Sequence, residues 1–96
     1  MKTLQQVRED LRNIRYYCQR KDHLKTNEES DSAGKQLYDT YLKVAKTAHA
    51  RLYDIYLRMY VEGLSQLATA GELGYSSQYV QREHIKLVKF LAENVE

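Results

Sequence analysis

Proline and tryptophan are missing from this chain, and glycine occurs only four times in 96 residues. Proline removes a backbone donor and locks φ, so without it nothing breaks a helix over most of the length. An all-α protein is the natural expectation. One cysteine excludes an internal disulfide and fits a reducing compartment. No apolar run approaches the roughly 20 residues of a membrane-spanning helix, and Met1-Lys2-Thr3 leads into an amphipathic pattern instead of a signal peptide. The expected location is the cytoplasm, with no membrane partner. Charge of one sign is also scarce: 15 basic residues against 13 acidic ones leave a formal net charge of +2. Electrostatics alone would hold such a chain only weakly to nucleic acid, which favours a specific or assisted contact over a non-specific coat.

Motifs for catalysis are missing too. There is no phosphate loop, nucleophile elbow or dinucleotide fingerprint. His23, His49 and His84 fall in three separate segments, without cysteine or carboxylate at metal-ligand spacing. Cys18 lies on an apolar helical stripe, where a small buried thiol is commonplace, and no histidine sits at helical neighbour spacing to activate it. Glu28-Glu29 belong to an acidic stretch and look like solubilising charge. The expectation is a protein that is not an enzyme, with no metal and no cofactor.

What the chain does have is helical periodicity. Hydrophobic residues at 43% and charged ones at 29% suit one folded domain, and its small size leaves a homodimer open. Leu4, Val7, Leu11, Ile14 and Cys18 are spaced by threes and fours, which predicts a helix from about 2 to 25 within a basic amphipathic segment 1–26. Its other faces carry Arg8, Arg12, Arg15, Arg20, Lys21 and Lys25 against Glu9, Asp10 and Asp22, and read as a solvated exterior, a second DNA-contacting surface or a docking face for an acidic partner. Residues 27–34 read as an acidic loop, with Ser30, Asp31 or Ser32 as caps for the next helix. Leu37, Tyr41, Val44, Ala48, Leu52, Ile55 and Met59 continue the spacing through 35–62, as one long helix or as two broken near Thr47-Ala48-His49. Nine tyrosines against one phenylalanine suit a thin core near water more than a base-stacking platform.

The segment 63–96 is the most specific. A short helix from about Ser65 to Leu73 and a longer one from about Ser76 to Glu93 meet at Leu73-Gly74-Tyr75-Ser76. Glycine can take the positive φ of a sharp helix exit, and Ser76 can cap the next helix, the punctuation of a DNA-reading helix-turn-helix. Val80, His84, Leu87 and Leu91 would be the inward stripe of the second helix.

The run Glu62-Gly63-Leu64-Ser65, then Ala70, Leu73-Gly74, Ser76, Val80, Lys86, Val88 and Leu91, resembles region 4 of bacterial sigma-70-type factors without a gap, over about the last third of the chain. It departs from that family at Thr69, where the family has isoleucine, at Gly71, where it usually has glutamate, and at Glu83, where an apolar residue is frequent. The periodicity predicts an N-terminal helical hairpin leading into this region 4-like helix-turn-helix, and the resemblance implies Leu52 to Val61 as a support helix ended by Gly63. The resemblance also implies double-stranded DNA and RNA polymerase as partners, and a role like that of small prophage-encoded transcriptional regulators of Gram-positive bacteria. Carried over by position, Ser77, Gln78, Tyr79, Gln81, Arg82 and Lys86 fall where the family contacts bases and phosphates. A protein–protein adaptor that binds polymerase or a host regulator without reading DNA is the alternative, and a phage packaging subunit is a third.

Overall fold

The computed structural model describes residues 1–20 and 32–95, and over these it is all-α, with no strand. The helices are α1 (Leu4–Arg20), α2 (Ser32–Ala45), α3 (Ala50–Tyr56), α4 (Gln66–Leu73) and α5 (Ser77–Asn94), and α3 runs on through a π-helical turn, Leu57–Val61. No helix among the described residues is long and apolar enough to cross a membrane.

α1 starts later than the periodicity predicts because Thr3 and Gln6 close a capping box ahead of it. The Thr3 hydroxyl accepts from the Gln6 amide at 3.1 Å, and the Gln6 side chain accepts from the Thr3 amide at 3.0 Å. Val7, Leu11, Ile14 and Cys18 are buried as the stripe requires, but Leu4 is 40% exposed. The spacing continues one turn past the surface available to cover it.

The expected end of α1 at 25, most of the acidic loop, and the caps Ser30 and Asp31 lie outside the described residues. α2 already includes Ser32, Ala33 and Gly34, so the loop expected over 27–34 does not extend to those three. A polar, glycine-containing stretch signals a loop only statistically, and a helical first turn tolerates the same residues.

Residues 35–62 form two helices. After Ala45 the Thr47 hydroxyl donates to the Val44 carbonyl at 2.7 Å, competing with the helical ladder. The His49 ring then caps α3, its Nδ1 accepting from the Arg51 amide at 3.3 Å. The break resets the helical phase. Tyr41 and Ile55 of the predicted stripe are fully buried, but so are Ala45 and Tyr56, which lie off it.

At the end of α3 the Glu62 amide donates to the Leu57 carbonyl at 2.9 Å, the five-residue step of a π turn. Gly63, at φ 79°, then turns the chain toward α4. α1 lies close against this turn: Arg15 Nη2 donates to the Gly63 carbonyl at 2.8 Å, and a Cβ at Gly63 would run into the Gln19 side-chain amide.

All five helices contribute to one core that includes Leu11, Ile14, Tyr41, Ile55, Tyr56, Ala70, Val80, Leu87 and Leu91. α1 packs on α2, the π turn and α5, while α3 and α4 both pack on α5. Two tyrosines are fully buried and differ in what their hydroxyls meet. Tyr41 donates to Asp10 Oδ2 at 2.6 Å, and Lys2 Nζ meets the same oxygen at 3.0 Å. Burial and the Asp10 carboxylate push the Tyr41 hydroxyl well above its ordinary pKa. The buried Tyr56 hydroxyl has no hydrogen-bond partner among the described residues.

Candidate nucleic-acid interface

α4 and α5 are set by short-range chemistry at both ends of their junction. The Ser65 hydroxyl accepts from the Ala68 amide at 3.1 Å and starts α4. Gly74 ends it in the left-handed conformation at φ 74°, with its N–H on the Ala70 carbonyl and the Tyr75 amide on the same oxygen at 2.9 Å. A Cβ at Gly74 would meet nothing within 4 Å, so backbone conformation and not crowding is what favours glycine there. Ser76 then accepts from the Tyr79 amide at 3.1 Å and starts α5. Gln66 Nε2 bridges the junction to the Ser77 carbonyl and hydroxyl, each at 3.3 Å.

The six candidate residues divide into two groups. Gln78, Gln81 and Arg82 stand exposed on the outward side of α5, with Ile85 and Lys89 further along it. Ser77 and Tyr79 are half-buried and already engaged. Ser77 is held by Gln66, and the Tyr79 hydroxyl accepts from Arg51 Nη1. The Tyr79 ring meets Tyr75 edge-on at 4.8 Å between centroids, with the guanidinium of Arg82 at 6.0 Å. Lys86 is exposed, but its ammonium lies 2.9 Å from the Glu83 carboxylate.

Glu83 explains why a charged residue stands where the resemblance implies an apolar one. Its side chain is only 8% exposed, yet Lys86 approaches from one turn on and Arg51 of α3 from 3.7 Å. The Lys86 hydrogen bond and the charges of Lys86, Arg51 and Arg82 hold its carboxyl below the usual pKa despite burial. Thr69, the other inward departure, is wholly buried with a hydroxyl that has no hydrogen-bond partner among the described residues. Gly71 is exposed and helical, with open space around it.

His84, expected on the inward stripe, is half-buried and not fully enclosed. Its Nε2 shares a hydrogen bond with the Tyr60 hydroxyl and the rings stack at 5.8 Å. Burial and the nearby Arg8 charge hold the imidazole below its usual pKa, and burial pushes the Tyr60 hydroxyl up to about 12. Among the described residues no group of three histidine, cysteine or acidic side chains could hold a metal ion. Arg51 is the residue that sequence reasoning missed. It is 32 positions from Glu83, and no local pattern links the two, whereas the Glu83–Lys86 pair has the three-residue spacing of helix neighbours.

Compared with family models, curated proteins and solved structures, the chain matches none.

Proposed function

We propose that the chain is a sequence-specific, duplex-DNA-binding transcription regulator in which α4 and α5 act as a helix-turn-helix resembling a detached sigma region 4. In this reading α1 and α2 form the hairpin that carries the reading pair, and a resident RNA polymerase or a second copy of the chain assists. The observation that supports it most is the exposure of Gln78, Gln81 and Arg82 in the first turns of α5, directly after the left-handed Gly74 and the Ser76 cap. A reading helix meets base edges with its N-terminal residues. Glutamine amides pair with adenine N6 and N7, and a guanidinium pairs with guanine O6 and N7 or holds a phosphate. Lys86 and Lys89, further along, suit phosphates. Ser77 and Tyr79, held by Gln66 and Arg51, orient the helix in addition to whatever they touch.

Retardation of random duplex DNA, followed as salt is raised, tests the proposal, and no retardation at low salt would end it. With binding in hand, Arg82→Ala is expected to lower affinity by about 1–3 kcal/mol and to relax preference at one base position, whereas Lys89→Ala weakens every sequence alike. The adaptor reading draws on a different observation: Leu67 of α4 and Ile85 of α5 are 73% and 43% exposed. Retention of RNA polymerase by a protein that retards no duplex would favour it.

A further inference from the structure

We infer that Arg8, Arg12 and Arg15 of α1 form a second contact with duplex DNA, taking the phosphate backbone beside the groove that α5 reads. This rests on the DNA-binding function proposed above and adds the surface that supplies most of its electrostatic attraction.

The cations on and around the reading pair are largely neutralised by neighbouring acids. Lys86 and Arg51 both face Glu83, and Arg58 lies 2.8 Å from Glu62 and 3.9 Å from Glu72. Arg82 and Lys89 are left as the exposed cations on the outward side of α5 outside any ion pair among the described residues. Two such charges are few for a duplex, whose binding rests mainly on neutralised phosphates. α1 has the opposite arrangement. Arg8, Arg12 and Arg15 follow each other at four and three residues, so they share one flank, and all three are exposed. Arg8 and Arg12 have no ion pair among the described residues. The Asp10 carboxylate is turned to the other flank, where Lys2 and Tyr41 hold it.

The arginine flank is fastened to the reading pair. Arg15 donates to the carbonyl of Gly63, two residues before the Ser65 cap of α4. The Lys2 amide donates to the Ala92 carbonyl of α5 at 2.9 Å, which fixes the start of α1 at the end of α5. The flank therefore ends, at Arg15, beside the start of α4. When a helix-turn-helix docks, its first helix crosses the DNA backbone while its second lies in the groove. Cations beside the start of the first helix then meet phosphates.

The test uses the full chain and the duplex best bound from a random pool, with an unrelated duplex as control, over a series of salt concentrations. Arg8→Gln/Arg12→Gln is expected to lower the slope of log K against log salt by about 2, since each phosphate contact contributes about 0.9. It should weaken both duplexes by a similar factor and leave the order of base preference unchanged. Arg8→Lys/Arg12→Lys should restore the slope, and Arg15 is left in place because it also holds Gly63. Circular dichroism matching that of the unaltered chain establishes that the variants are folded. If the unaltered chain binds DNA and the glutamine variant shows the same slope, the second contact is wrong and the reading by α5 stands. If the variant changes base preference, the arginines read bases and the backbone assignment falls. If the unaltered chain binds no duplex at all, both fall together.

Discussion

α1 and α5 have 17 and 18 residues, yet their inward sides differ in kind. α1 buries Val7, Leu11, Ile14 and Cys18, none of them charged. α5 buries Val80, Leu87, Val88, Leu91 and Ala92, but also Glu83, and it leaves His84 half-buried against Tyr60. α4, packed on α5, adds the Thr69 hydroxyl, which has no partner among the described residues. The α1 side thus devotes its inner surface to apolar burial, and an inter-helix polar cluster there, Lys2–Asp10–Tyr41, is mutually satisfied. The α4–α5 side admits polar groups whose net stabilisation is small or negative. What those groups do is fix geometry: Glu83 draws Arg51 and Lys86 to the border of the outward face, and Arg51 in turn holds Tyr79.

The largest effect should show whether the two sides share one core. Leu11→Ala in α1 and Leu87→Ala in α5 each remove a fully buried side chain, and each is expected to cost about 2–5 kcal/mol, read from urea midpoints. A loss under about 1 kcal/mol at Leu87 alone would mean that α5 packs far more loosely than α1. Smaller and of opposite sign are two hydroxyl deletions. Tyr41→Phe should lose about 1 kcal/mol because Asp10 loses its donor, while Thr69→Val should gain about 1 kcal/mol by removing a buried hydroxyl without a partner among the described residues. A loss in both would erase the contrast between satisfied and unsatisfied sides.

The smallest effect is in pH. His84 has a folded pKa below its ordinary 6.5, so the unfolded chain takes up the proton more readily, and the stability His84 contributes above 6.5 is lost as pH falls below it. Glu83, also depressed, contributes stability above its ordinary 4.5 that disappears as pH falls through its folded value. Urea midpoints at pH 7 and 5.5 should therefore fall less for His84→Gln than for the unaltered chain. An equal fall would place the acid sensitivity outside the α5–Tyr60 contact.

Much of the local structure was legible because its causes are local. The left-handed Gly74 and the Ser76 cap each depend on residues within one or two turns, as does the break at Thr47-Ala48-His49, one of the two readings of residues 35–62. Leu4, Ala45 and Tyr56 were misjudged because periodicity gives a direction around a helix but neither the extent of the surface that will cover it nor the reset of phase after a break. The candidate face was only half legible. Gln78, Gln81 and Arg82 stand outward as helical phase alone requires, but the engagement of Tyr79 by Arg51 and of Ser77 by Gln66 depends on which helices come together.

The all-α character, the helix-starting serines and the glycine between α4 and α5 were determined by the chain itself, since proline's absence, capping hydroxyls and a missing Cβ act within a few residues. Only the tertiary structure decided that Glu83 lies inward between two cations and that the arginine flank of α1 is fastened beside the start of α4. Such placements join residues 32 to 48 positions apart, and a pairing across that distance exists only once the helices between them have packed.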